Sequence, residues 1–332
     1  MRGRADLKEL RVFFPFNNEE KRLSLNHELL FVKVKGVAYL STSMGWFRKD
    51  FGRIKSDLER MRNELYANAV RLEGTGALLW KIVEVAKEEG LQVWAHPKVN
   101  DVIPGFEFIR IFRNFCRRAE DLGVDVLMVG NELSLEVNLE DNRTLSYVER
   151  CSNMEKHVHK PLRENPSKFT SFIAKLVEIS RKYFSGKVTY AAGSWEFDLV
   201  PWEDLDIVSC NQFLYSQTEN TYLDLLLRMK LFGKPAVLSE FGFQTIDKAF
   251  EAGPIWLYPQ KHKVKYDEEA QARCLKRNIK FIKKADLDGC FVHQWDESEV
   301  AGGGDLGFGI VKINGEPKRS FFIIREFYGT WR

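Results

Sequence analysis

Short apolar runs recur along the chain, and most are followed by a longer stretch whose apolar positions fall three and four apart. The first pattern reads as a buried strand and the second as a helix with one apolar face. The first run, VKVKGVAYL, ends at Leu40. A helix is predicted from about Lys49 to Leu65, with Phe51, Ile54, Leu58, Met61 and Leu65 on one face. NAVRLEG, carrying Arg71, is the second strand. ALLWKIVEVAKEEG is a helix stopped by Gly90, and LQVWAHP is the third strand. IPGFEFIRIFRNFCRRAEDLG is a helix with Pro104 near its start and Gly123 past its end.

The fourth strand, VDVLMVGNE, is continuously apolar until Asn131 and Glu132, as a strand buried on both faces should be. Roughly thirty irregular, polar residues follow it, then a helix from about Lys168 to Phe184. KVTYAAGSW, LDIVSCNQF, KPAVLSEFG and DGCFVHQWDES supply strands five to eight. Helices are expected in YLDLLLRMKLFG, near Asp267 to Ala285, and near Arg319 to Tyr328.

Eight strands, seven of them followed by a helix, predict a (β/α)8 TIM barrel over residues 34–332. Long loops follow strands 4 and 7, the second from Gln244 to Lys265. Residues 1–33 form a short N-terminal extension, expected as a hairpin or plug at the N-terminal mouth. A doubly wound open sheet is the rival. It calls for a glycine-rich phosphate turn after an early strand, and GTG at Gly74 to Gly76 is too short to be one.

Composition narrows the function. At 44% hydrophobic and 29% charged residues, the chain reads as a soluble globular protein with a sizeable core. A net charge of +3 over 332 residues gives no support for a nucleic-acid or membrane partner. The apolar runs are too short to span a bilayer. The charged start, MRGRADLKELRVFFPFNNEEKR, lacks a secretion signal. The five cysteines, Cys116, Cys151, Cys210, Cys274 and Cys290, are scattered and read as free thiols in a reducing compartment. A cytoplasmic location is therefore expected, and the NRT sequon at Asn142 reads as chance. The abundance of Lys, Glu and Arg would suit a thermophile.

In a barrel the C-terminal ends of the strands share one mouth, where the chemistry sits. These ends carry Arg71, His96, Asn131, Glu132, Trp195, Asn211, Tyr215, Glu240, His293 and Trp295, and Trp46 lies in the loop after strand 1. Glu132 ends strand 4 and Glu240 ends strand 7, on opposite sides of the mouth. Two carboxylates facing each other across a cleft suit glycosidic bond cleavage, one protonating the leaving oxygen while the other attacks carbon or activates water. Each has a plainer reading. Asn-Glu after a strand is commonly a turn and a helix cap, and SEFG alone says little; the pair on these two strands says more. Arg71 lies between apolar positions, and a buried Arg needs an anionic partner. Trp295 is either core or a platform for the C–H face of a sugar, the reading favoured here. His96 and His293 are either structural or ligands to sugar hydroxyls. His157 and His159 sit in the polar insertion with no third ligand, so neither metal nor cofactor is expected.

Given these residues, the sequence resembles the clan A glycoside hydrolases, whose barrels carry an Asn-Glu pair ending strand 4 and a Glu ending strand 7. Within the clan it resembles family 113, known for endo-β-1,4-mannanases. The resemblance runs from about Lys35 to the C-terminus, on VGNEL, VTYAAGSWEFDLVPWEDLDIVSCNQFLY, GKPAVLSEFGF and W…GFGIVKINGEPKRSF. It implies a retaining double displacement with Glu132 as acid/base and Glu240 as nucleophile, their carboxyl groups about 5–5.5 Å apart. It also implies that Asn131 bonds the sugar 2-hydroxyl, that Arg71 and Tyr215 hold Glu240 ionised, and that Trp295 floors the same subsite. The sequence departs from the pattern in FVHQWDES on strand 8 and CNQFLY on strand 6. An intracellular enzyme would take short oligosaccharides or a glycoside rather than a polymer. A non-catalytic sugar-binding barrel and a transglycosylase remain open on the same residues.

Overall fold

The computed structural model describes residues 32–39, 50–99, 101, 103, 105–138, 145–253, 264–296 and 304–332. Residues 1–31 of the expected N-terminal extension, Trp46 and the Asn142 sequon lie outside the described residues, as does part of the loop after strand 7. Residues Lys33–Arg332 form one compact unit.

Eight parallel strands close into a barrel in sequence order: β1 (Val34–Tyr39), β2 (Ala69–Glu73), β3 (Gln92–His96), β4 (Val126–Asn131), β5 (Lys187–Gly193), β6 (Val208–Asn211), β7 (Ala236–Phe241) and β8 (Gly289–Val292). β1 pairs with both β2 and β8, which closes the ring. This is a (β/α)8 TIM barrel. The long helices of its outer layer are α1 (Phe51–Asn63), α2 (Ala77–Glu88), α3 (Phe106–Asp121), α7 (Pro166–Tyr183), α8 (Glu219–Met229), α10 (Glu268–Ala285) and α11 (Arg319–Thr330). Capping fixes two helix starts: Asp50 accepts from Arg53 N–H and Asp267 from Ala270 N–H.

The strands face two cores. Val34, Ala69, Trp94, Val126, Met128, Ala191, Ile207, Val237 and Phe291 fill the barrel interior. A larger cluster lies between the barrel and its helices, which is why the strands read as apolar runs without alternation. Gly36 makes room for the interior plug. A Cβ there would meet the Phe291 ring at 2.1 Å, and Phe291 packs on Trp94 at 5.0 Å between centroids.

The segment after β4 differs from the expectation of an irregular insertion. Among its described residues it holds α4 (Leu133–Glu136), α5 (Tyr147–Ser152), a π-helical turn (Glu155–His159) and α6 (Lys160–Glu164). Each is too short to show a helical period, but the signals are local. Ser146 and Glu149 form a reciprocal capping box at the start of α5, and Pro161 sits in the first turn of α6. A four-residue helix, α9 (Ala249–Ala252), lies in the loop after β7. Among the described residues no helix is long and apolar enough to cross a membrane.

Candidate active site

The site is built on interior-facing positions at the strand ends. Along β2, Ala69 belongs to the interior core, so Arg71 and Glu73 occupy the layers above it. At two strand ends the pleat is broken. In β7, Leu238 faces the helices, yet the side chains of both Ser239 and Glu240 reach mouth residues, and Phe241 faces outward again. A register shift between Leu238 and Phe241 makes that possible. A second shift, between Met128 and Asn131, precedes the Asn-Glu pair of β4. Irregularities of this kind re-aim side chains beside active sites.

Glu132 stands just past β4 in the left-handed conformation, φ 42° and ψ 48°. That costs a non-glycine residue about 1–3 kcal/mol and persists only where neighbours over-determine it. Here they do. Glu132 N–H donates to Ala191 O at 2.9 Å, and the amides of Leu133 and Ser134 donate to Tyr190 Oη at 2.7 Å and Glu196 Oε1 at 2.8 Å. Gly130 keeps the approach open, because a Cβ there would meet the Leu133 side chain at 2.4 Å.

Arg71 organises the floor, with no exposed surface of its own. Its Nη1 donates to Glu240 Oε1 at 2.7 Å and to Ser239 O at 3.0 Å, and its Nη2 donates to Asn131 Oδ1 at 2.7 Å. The anionic partner that a buried Arg requires is therefore Glu240. Asn211 Nδ2 donates to Asn131 Oδ1 at 2.8 Å and to Glu132 Oε1 at 3.1 Å, while its Oδ1 accepts from Ser239 Oγ at 2.8 Å. Asn131 Nδ2 donates to Glu136 Oε1 at 3.1 Å, and Glu136 also pairs with Lys98. Arg71, Asn131, Asn211, Glu132 and Glu240 thus form one connected network.

The two carboxylic acids are driven apart in proton affinity. Burial, and then the nearby charge of Glu240, push Glu132 up to about 8, against the lowering effect of the Asn211 bond. Burial also opposes ionisation of Glu240, but the charges of His293 and Arg71 outweigh it and hold this carboxyl below the usual range. Burial lowers the affinity of His293 itself for a proton. Arg71 is therefore the cation that stands beside Glu240 at neutral pH.

The remaining expected residues divide. His293 lies in the site, its Nδ1 3.5 Å from Glu240 Oε2 and its ring edge-on to Phe213 and Phe308. His96 is fully buried, and burial followed by the charges of Arg71 and Lys98 keeps it neutral. Nδ1–H facing Pro97 O at 3.3 Å leaves Nε2 to accept from Arg71 at 3.3 Å. That is a support behind Arg71. Trp195 is half-buried at the mouth, with Nε1–H donating to Ser134 Oγ at 3.0 Å.

Two expectations need correction. The Tyr215 hydroxyl makes no hydrogen bond to Glu240; the ring lines a small apolar cavity with Phe213, Phe243 and Phe308, against Gly253. His293 stands where Tyr215 was expected. Trp295 is fully buried in the helix-facing layer, beside Phe321 and beneath Arg60, whose guanidinium lies 5.5 Å from the ring. The strand ends at Val292, so two-residue alternation no longer determines where Trp295 points. Sequence reasoning missed Glu73, Lys98, Glu136 and Glu196. Glu73 follows Arg71 by two residues in RLE and Glu136 follows Glu132 by four in ELSLE, and only the folded barrel shows them buried. His157 and His159 lie on or beside the π-helical turn, and among the described residues no group of three His, Cys, Asp or Glu side chains could hold a metal ion.

No protein-family model matches this sequence, and no curated protein does. Solved structures do. A GH113 β-1,4-mannanase superposes with a TM-score of 0.64 at 18% identity, over 90% of this chain and 99% of that one. A GH2 β-galacturonidase from Eisenbergiella tayi bound to galacturonate gives 0.62 at 16%, over 91% of this chain and 52% of that one. A β-glucuronidase from Faecalibacterium prausnitzii also gives 0.62 at 16%, over 91% and 49%. This chain spans about half the length of the latter two. It shares with all three the (β/α)8 barrel fold, and with the mannanase that barrel over nearly the whole of both chains.

Proposed function

We propose that the protein is a retaining β-glycoside hydrolase acting on short β-linked oligosaccharides or glycosides, with manno-oligosaccharides as the first candidates. The observation that carries this reading is the opposed proton affinity of two carboxyl groups within one buried network. Glu132 stays protonated through neutral pH, and Glu240 stays ionised beside Arg71. An acid and a base made from the same side chain by environment alone are the requirement of glycoside cleavage. The shared fold with a GH113 β-1,4-mannanase supports the choice of sugar.

In the first step Glu240 attacks the anomeric carbon while Glu132 gives its proton to the departing glycosidic oxygen. The C–O bond breaks, the aglycone leaves as a neutral alcohol, and a glycosyl ester forms on Glu240. Glu132, now ionised, takes a proton from water, whose oxygen displaces the ester and regenerates both groups. Arg71 stabilises the Glu240 carboxylate before attack and on release. The second Asn131 N–H is left for the sugar 2-hydroxyl. The geometry requires carboxyl groups about 5–5.5 Å apart.

The test is a screen of aryl β-glycosides and short β-linked oligosaccharides, with Glu132→Ala, Glu240→Ala and Glu240→Gln alongside. The Gln variant keeps an acceptor for Arg71, because stripping one partner from a buried ion pair costs about 3–5 kcal/mol. Hydrolysis by the parent and loss of about 100-fold or more in each folded variant is expected. Full activity in a Glu240 variant overturns the reading. Binding without turnover by the parent points to a sugar-binding barrel, and sugar–sugar products at high acceptor concentration point to a transglycosylase.

A further inference from the structure

Glu196 is a carboxyl group that the proposed chemistry does not use. It has no exposed surface and sits three residues beyond β5. Its Oε1 accepts the Ser134 N–H at 2.8 Å. Its Oε2 accepts the Tyr190 hydroxyl at 2.7 Å and the Gly193 N–H at 3.0 Å. The same Tyr190 hydroxyl accepts the Leu133 N–H at 2.7 Å. The first two amides after Glu132 are therefore both fastened from the β5 side, one directly by Glu196 and one through Tyr190. Trp195, the neighbour of Glu196 in sequence, adds a bond from Nε1–H to Ser134 Oγ at 3.0 Å.

We propose that Glu196 is a positioning residue for Glu132: it locks the left-handed turn that aims the acid/base carboxyl at the glycosidic oxygen. This rests on the reading of Glu132 as the acid/base. Three donors converge on the two oxygens of Glu196, and a carboxylate is the side chain that accepts at both ends. A carboxamide of the same shape would turn an N–H2 group toward either Ser134 N–H or the Tyr190–Gly193 pair. The turn would then lose a fastening without leaving a hole in the core. Tyr190 is the relay in this arrangement, and replacing it by Phe removes only the oxygen.

Leaving-group dependence separates this role from a merely structural one. A poor leaving group needs a proton as its bond breaks, whereas a good one departs as an anion unaided. The probes are the phenyl and 2,4-dinitrophenyl β-glycosides of the sugar found in the screen. The quantity is kcat/KM, which reports the steps up to formation of the glycosyl ester. In Glu196→Gln the ratio of phenyl to dinitrophenyl kcat/KM should fall at least ~10-fold below the parent ratio, as expected for a misaimed general acid. Tyr190→Phe should move the ratio in the same direction by a smaller factor, and it carries the test if Glu196→Gln does not fold. Glu132→Ala on the same pair is the benchmark. If it shifts the ratio while both supporting variants leave theirs at the parent value, the Glu196 proposal fails and the acid assignment stands. If Glu132→Ala leaves the ratio unmoved, the acid assignment itself fails. Equal losses on both substrates in the supporting variants show a structural role alone and overturn the proposal.

Discussion

At the scale of single residues, burial and neighbouring charge favour protonated Glu132 and ionised Glu240 within a common network, and the proposed chemistry uses that difference. The consequence for rate is a bell. Activity should fall on the alkaline side as Glu132, held at about 8, loses its proton. On the acid side it should persist below the usual carboxylate range, because His293 and Arg71 offset the burial that would otherwise favour protonated Glu240. Arg71→Lys replaces a forked contact to Glu240 and Asn131 with a single ammonium. Its acid limb should move to higher pH, which a kcat/KM profile measures directly. The consequence for stability has the opposite sign from function. An acid with a raised folded-state pKa binds its proton more tightly folded than unfolded. Below the ordinary value of 4.5 both states are protonated and there is no penalty. The penalty grows as the unfolded chain ionises and is complete once the pH passes about 8. Glu132→Gln should therefore raise Tm by roughly 2 °C or more at pH 8, and by much less at pH 5. An equal gain at both pH values would show that burial of the charge is not the cause.

At the scale of elements, the ends of the strands matter more than their middles. The strands themselves are legible from apolar runs; Asn131, Glu132 and Glu240 can be picked out because each follows such a run, and Arg71 because it interrupts one. The supports were not legible. Glu196 sits on an irregular turn, and its partner amide at Ser134 is 62 residues away in sequence. Tyr215 and Trp295 were misjudged for a related reason: both lie beyond the last paired residue of their strands, where alternation stops setting direction. β7 and β8 also approach closely at their ends. A Cβ on Gly242 would lie 2.2 Å from His293 O, a backbone atom that cannot swing aside. Gly242→Ala should push His293 away from Glu240, at a cost of about 1–3 kcal/mol in stability. A fall in kcat/KM at a temperature where parent and variant are both folded is the expected result. Unchanged Tm and kcat/KM would show that the two strand ends separate freely.

At the scale of the whole molecule, the barrel was readable because eight strands interleaved with helices leave few other topologies, whereas the hydrogen-bond wiring of its mouth was not, because those contacts join elements far apart in the chain. Arg71 on β2 reaches Glu240 on β7 across 169 residues, and Asn131 on β4 across 60. No fragment ending before β7 contains both members of the ion pair. During refolding, local helices and neighbouring strand pairs can form early, but long-range pairings must wait for the chain to close its loops. Recovery of catalysis should therefore trail recovery of the helical circular dichroism signal. The two curves would coincide only if the ring closes in the same step that forms its helices, so the Arg71–Glu240 contact serves as a reporter of barrel closure.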